Sequence, residues 1–86
     1  MIIRSTPYFD KKLSKKLNKN PRLKKKVSKQ LKLLQQNTNH PSLKVHKLKG
    51  KRVHEYSLWI EGNLRITYQI ITNVILLTDI ITHDEY

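Results

Sequence analysis

Apolar residues recur with two different periods along this chain. Phe9, Leu13 and Leu17 are spaced four apart, as are Leu23, Val27 and Leu31 with Leu34 following, and Lys or Arg fills most positions between them. That spacing puts one apolar stripe on each of two helices. Thr6-Pro7 supplies a capping side chain and a proline at the first helical position, which predicts a helix over about residues 7–18. Asn20-Pro21 repeats the signal and predicts a second helix running to about Gln36. Beyond a polar break at Asn37–Pro41 the apolar residues alternate or cluster in short β-rich runs. Lys44–Leu48 is followed by Val53–Ile60, Leu64–Ile71 and Val74–Ile81, parted by Lys49-Gly50-Lys51, Glu61-Gly62-Asn63 and Thr72-Asn73. Short runs with such breaks describe an antiparallel meander. With Met1–Ser5 as a first short strand, the predicted order is β-α-α-β-β-β-β. This is a small α+β domain, residues 1–86, with a helical hairpin on one face of a mainly antiparallel twisted sheet.

Alternation sorts the strand residues into faces. A three-residue loop at Glu61-Gly62-Asn63 would set Ile60 opposite Leu64, Leu58 opposite Ile66 and Tyr56 opposite Tyr68. Those residues and Ile70 form the predicted core side, under the helices. The other side gathers Glu55, Ser57, Trp59, Arg65 and Thr67, a polar face with one flat aromatic ring.

Charge changes the picture. Seventeen of the 18 Lys and Arg lie within residues 1–52 against Asp10 alone, a formal +16; residues 53–86 hold Arg65 against five acids, −4, for a net +12. A field of that sign and density attracts polyphosphate through counterion release and favours a nucleic-acid partner. The crowded lysines repel one another along the helices, which a bound polyanion or acidic partner would relieve. An anionic membrane surface fits less well, because the basic face lacks aromatic anchors. No apolar run approaches the roughly 20 residues of a membrane span and there is no signal-peptide core, so a cytoplasmic protein is expected. The chain has no cysteine, and its histidines at 40, 46, 54 and 83 lack the spacing of a metal helix, so no metal or cofactor is expected.

The candidate chemistry sits late in the chain. Arg65 is the lone Lys or Arg of residues 53–86, available for a phosphate or for a cross-strand pair with Glu55. His83 and Tyr86 bring two proton-transfer groups to the end of the last strand. Cleaving RNA through its own 2′-hydroxyl needs a base, an acid for the leaving 5′-oxygen, and cations around the transition state. Lys47, Lys49 and Arg52 are candidate phosphate ligands and Trp59 is a candidate stacking surface. Histidine as a residue type titrates near neutrality and suits either proton role. The chemistry itself calls for no metal.

The order of elements, His40-Pro41-Ser42-Leu43, His46-Lys47-Leu48-x-Gly50, Gly62-x-x-Arg65-Ile66-x-Tyr68 and the terminal His83-Asp84-Glu85-Tyr86 resemble the RelE/ParE toxin superfamily over essentially the whole chain, most closely its YafQ/YoeB-like branch. The resemblance implies a type II toxin–antitoxin toxin that cleaves mRNA in the ribosomal A site and is neutralised by a cognate antitoxin. It implies that Arg65 holds the scissile phosphate and stabilises its charge, that His83 is a general acid or base and here the acid, that Tyr86 is the terminal aromatic, and that His40, or else Glu55, is the candidate base. The Lys-rich helices would then contact ribosomal RNA. There are departures. Tyr86 follows His83 by three residues where many relatives have four, Glu55 and Ser57 align with paired catalytic lysines, and Asp79 stands where some relatives carry arginine. A gyrase-poisoning toxin of the same fold, or an RNA-binding module without catalysis, are the alternatives.

Overall fold

The first helix starts where its capping signal stands. In a computed structural model, which describes residues 1–82, the Thr6 hydroxyl accepts the Phe9 N–H at 3.1 Å and Pro7 opens α1, Pro7–Lys19. Asp10 in its first turn and Lys16 and Lys19 in its last complement the helix dipole. Pro21 has no N–H to continue the ladder, so α1 ends with the Asn20 N–H on the Lys16 carbonyl. The second Asn-Pro signal acts differently from the expectation. Residues 21–22 form a turn in which Asn20 and Pro21 offer carbonyls to Leu23 and Lys24, and α2 begins only at Leu23, running to Gln36.

The strands are β1 Ile2–Ser5, β2 His46–Lys47, β3 Tyr56–Glu61, β4 Leu64–Ile71 and β5 Val74–Thr82, in the order β1-β5-β4-β3-β2. Only the β1–β5 pair is parallel. Both helices lie on one face of this sheet, α1 chiefly over β5 and α2 chiefly over β3, with little contact between them. Phe9, Leu23, Val27 and Leu34 meet Leu58, Ile66, Tyr68 and Ile75 in one core.

Register follows the expected pairing at two positions and departs from it at one. Tyr56 faces Tyr68 and Leu58 faces Ile66, but Leu64 faces Glu61 rather than Ile60. The loop is two residues, Gly62-Asn63, and the surplus residue is absorbed as a bulge at Ile60, between Trp59 and Glu61. Gly62 takes φ +50 at the tight turn, a conformation open to glycine without a Cβ penalty. Ile70, expected in the core, is 43% exposed near the Thr72-Asn73 turn.

The second helix also buries a residue outside its predicted stripe. Gln30 is buried while Leu31 is only half so. The reason is the edge of β3: β2 pairs only with Tyr56 and Ser57, so Leu58–Glu61 have no strand beyond them. Gln30 Nε2 donates there to the Trp59 carbonyl at 2.8 Å and to the Ser42 carbonyl at 3.1 Å. A buried amide is tolerated because it satisfies backbone acceptors that an open sheet edge would leave orphaned.

Tyr56 and Tyr68 stack across β3 and β4, with ring centroids 5.5 Å apart. Burial, with a smaller contribution from Tyr56, raises the Tyr68 hydroxyl from 10.0 to about 12. The protonated phenol is thus favoured in the folded state. Its contribution to stability is complete below pH 10 and is lost as pH rises from 10 toward about 12, because the unfolded chain loses that proton first. Alkaline unfolding of Tyr68→Phe, followed by circular dichroism, is expected to show a shallower pH dependence across that window than the wild type.

Candidate active site

The sheet face turned from the helices was expected to be an open polar platform, and the structure corrects this. Ser57 and Thr67 are fully buried there, as is Ile81. The segment between β2 and β3, residues 48–55, folds onto that face: Leu48 is buried with its N–H on the Glu55 carbonyl, and Arg52 reaches β5. Two separate polar groupings result.

The first is centred on Asp79. A bulge at Thr78 shifts the β4–β5 register, and β1 pairing ends at Leu77, so Asp79 lies just beyond the cover of β1. It takes Lys12 from α1 at 3.0 Å and Arg52 from the folded-over segment at 3.3 Å. Arg52 also lies 3.7 Å from Glu55, and the Glu55 carboxylate accepts the Thr78 hydroxyl, which in turn meets Thr67 at 2.8 Å. Among the described residues two cations meet two acids there, and Arg52 and Glu55, both predicted to serve RNA, are already engaged with each other. The Nη1 of Arg52 and the Oγ of Ser57 are buried without a hydrogen-bond partner among the described residues.

The second grouping is centred on Arg65. Alternation puts Arg65 on the same face as Thr67, and register sets it opposite Trp59. The alternative use of Arg65, a pair with Glu55, is not made. Its one described bond runs from Nη1 to the Lys44 carbonyl at 3.2 Å. A guanidinium has five N–H donors in a planar fork, and here, among the described residues, no carboxylate pairs with it. Lys44 is in the left-handed region at φ 46, and its ammonium lies 4.5 Å from the centroid of the Trp59 ring. The indole N–H donates to the Gly62 carbonyl at 2.9 Å.

His40 lies on the same turn as Lys44. It caps the 3₁₀ turn Pro41–Leu43, its Nδ1 accepting the Ser42 N–H at 3.1 Å. With Nδ1 used as an acceptor, the neutral ring carries its proton on Nε2, which makes that atom a donor until the cap is released. Lys47 is exposed on β2, and Lys49 is exposed just before the 3₁₀ turn Gly50–Arg52. His46, paired with Ser57, is exposed on the edge strand β2, and His54 is exposed in the turn before β3. His83 and Tyr86 lie outside the described residues.

No protein-family model and no curated relative matches the sequence. Solved structures do match. YafQ from E. coli strain BL21(DE3) superposes with a TM-score of 0.80 at 19% identity, covering 96% of this chain and 93% of that one. A YoeB/ParE toxin from Agrobacterium tumefaciens gives 0.82 at 15% identity, covering 96% and 99%. The heterotetrameric YoeB–YefM toxin–antitoxin complex from Staphylococcus aureus gives 0.76 at 22% identity, covering 92% of each chain. The chain has the RelE/ParE-type toxin fold.

On this RelE/ParE-type scaffold the predicted residues divide. Arg65 and Trp59 are brought together, with the His40 turn reaching them through Lys44. Arg52 and Glu55 belong instead to the Asp79 network, and Lys47 and Lys49 remain at the rim. Sequence reasoning missed Lys44, Lys12, Gln30 and Thr78, since each acts through a contact distant along the chain. Only Asp79 carried a signal, as an isolated acid in an otherwise apolar strand.

Proposed function

We propose that this chain is the toxin of a type II toxin–antitoxin system and a ribosome-dependent mRNA endoribonuclease acting in the cytoplasm. The observation that carries this reading is Arg65: a half-buried guanidinium on the sheet of a RelE/ParE-type fold, bonded to one carbonyl and free of carboxylates among the described residues. Such a group suits a phosphate whose charge grows in a transition state. In the reaction, a base takes the 2′-hydroxyl proton and the 2′-oxygen attacks the adjacent phosphorus. The P–O5′ bond breaks, and an acid protonates the leaving 5′-oxygen. Arg65 holds the phosphate oxygens and His83 is the acid, with Tyr86 as the terminal aromatic. The base is His40, once its ring releases Ser42, or Glu55, once its carboxylate leaves Arg52. Exposed Lys47 and Lys49 add to the field, and the lysines of α1 and α2 contact ribosomal RNA.

A cognate antitoxin holds the protein inactive, as the YoeB–YefM pairing of one structural neighbour suggests by analogy of fold. Among the described residues no helix is long and apolar enough to cross a membrane.

Induced expression in a bacterial host, with mRNA ends mapped by primer extension, tests the proposal. Growth arrest with new in-frame cuts is expected for the wild type, and both should vanish in His83→Ala. Arrest with intact mRNA and altered plasmid supercoiling would indicate a gyrase poison. No arrest and no cuts would leave an RNA-binding module.

A further inference from the structure

At the edge of β3, where Trp59 has Arg65 as its strand partner, lies a small cleft whose composition differs from the rest of the basic surface. It measures about 170 Å³ and is lined by Lys26, Lys29 and Gln30 of α2 with Trp59 and Ile60 of β3. Small-molecule sites usually enclose roughly 300–1,000 Å³, so this one is suited to a fragment of a longer ligand rather than to a free metabolite. Trp59, which borders it, is held from three sides: register opposite Arg65, its indole N–H on Gly62, and its carbonyl on Gln30. The ring therefore presents a fixed plane, and little ordering is needed when a ligand stacks on it. An ammonium, that of Lys44, already occupies the ring at 4.5 Å.

Cations surround the ring. Lys29 makes no ion pair among the described residues, and Lys26 meets Glu61 at 3.2 Å with both side chains exposed. Exposed pairs of that kind are weak and open readily. Lys29 also borders the larger groove of about 560 Å³ along the outer side of α2, where Lys24, Lys25 and Lys32 stand. An immobilised aromatic plane, a one-residue cleft and a chain of cations leading away from it match a single nucleotide: a base to stack and phosphates on either side.

We propose that Trp59 and this cleft bind one base of a single-stranded RNA. Lys44 moves from the ring to a phosphate as the base arrives, and Lys29 and Lys26 hold the phosphate on the other side. The site fixes which nucleotide lies next to the phosphate at Arg65, and so contributes to sequence choice. This deepens the nuclease reading above, on which the identity of the ligand as RNA rests.

Trp59 is the chain's sole tryptophan, so its fluorescence reports on the site alone. The full-length protein is titrated at low salt with a 2′-O-methyl RNA hexamer, which lacks the nucleophile and stays uncut. Saturable quenching is expected with the hexamer and none with inorganic polyphosphate of equal charge. By anisotropy of a labelled hexamer, Trp59→Leu should bind about tenfold more weakly, the order of one lost stacked base. Lys29→Glu, on an exposed helix position, and Lys44→Asn, which tolerates a left-handed backbone, guard against a Trp59 variant that fails to fold; each should weaken binding severalfold. No quenching by the hexamer, equal quenching by polyphosphate, or unchanged affinity in a folded Trp59→Leu together with both lysine variants would overturn the proposal. Base binding in a protein that cuts no mRNA would sink the nuclease reading and leave this site standing. Cleavage whose rate and sequence preference persist in Trp59→Leu would do the reverse.

Discussion

Replacing Arg65 with Ala is expected to lower RNA cleavage by about 10²- to 10³-fold, the usual loss when one preorganised transition-state donor is removed. The guanidinium sits on β4 opposite Trp59, with one described bond, to the Lys44 carbonyl. Among the described residues it buries no ion pair, so its loss strands no partner charge there. Thermal stability should change by less than about 1 kcal/mol, as for surface changes away from the core. Binding to ribosomes or long RNA should persist, because 17 other Lys and Arg supply the sequence-independent attraction. Arg65→Lys should recover only part of the rate, since an ammonium keeps the charge and loses the planar fork that grips two phosphate oxygens. Single-turnover cleavage of mRNA on ribosomes, measured beside RNA affinity and melting temperature, checks all three points. A folded Arg65→Ala protein that cleaves at the wild-type rate would remove Arg65 from the mechanism.

Phe9→Ala is expected to cost about 3–5 kcal/mol, the range for deleting a buried aromatic ring. Phe9 is the one fully buried residue of α1, at 2% exposure, while Leu13 and Leu17 are only half-buried against the core. Contact between α1 and α2 is slight, so the ring carries most of the attachment of α1 to the sheet. The Lys12–Asp79 bridge, with side-chain exposures of 26% and 11%, adds to that attachment. A small domain loses roughly 4–8 °C of melting temperature per kcal/mol, so a fall well above 10 °C is expected in a calorimetric scan. Hydrogen exchange should locate the effect: amides of α1 lose protection first, ahead of β3 and β4. A variant that melts within a few degrees of the wild type would show that α1 is held by other contacts.

How much of this was readable without coordinates depends on the range of the interaction. The first capping residue, Thr6, works within three positions of the chain, and it performs as its spacing predicts. Asn20 failed as a cap because the same residue closes α1: its N–H bonds back to Lys16 and its carbonyl accepts Leu23, which leaves α2 to begin later. For the meander, alternation placed Leu58, Ile66 and Tyr68 correctly on the core side. It could not reveal that Ile60 bulges, since a three-residue loop and a two-residue loop with a bulge use the same number of residues. Arg65 was legible as a candidate because it is the lone basic residue among the last strands. Arg52 and Glu55 were equally legible as charged side chains, yet their mutual pairing and the bond of Arg52 to Asp79 were not.

The sequence by itself determined what depends on neighbours in the chain: two amphipathic helices, a meander of alternating strands, their order, and a net charge of +12 whose positive part, +16, lies in the first 52 residues. Periodicity and net charge are sums over local positions, so they survive any arrangement in space. Tertiary structure decided which polar groups are spent and which are free. Gln30 is buried because β2 is too short to cover β3. The sheet face turned from the helices is half closed because residues 48–55 fold across it and Arg52 reaches Asp79, 27 positions away. Lys44 meets Trp59 because a left-handed residue turns the chain there. Such contacts form only when distant segments are packed together, and among the described residues they leave Arg65 without a carboxylate partner, opposite an immobilised indole.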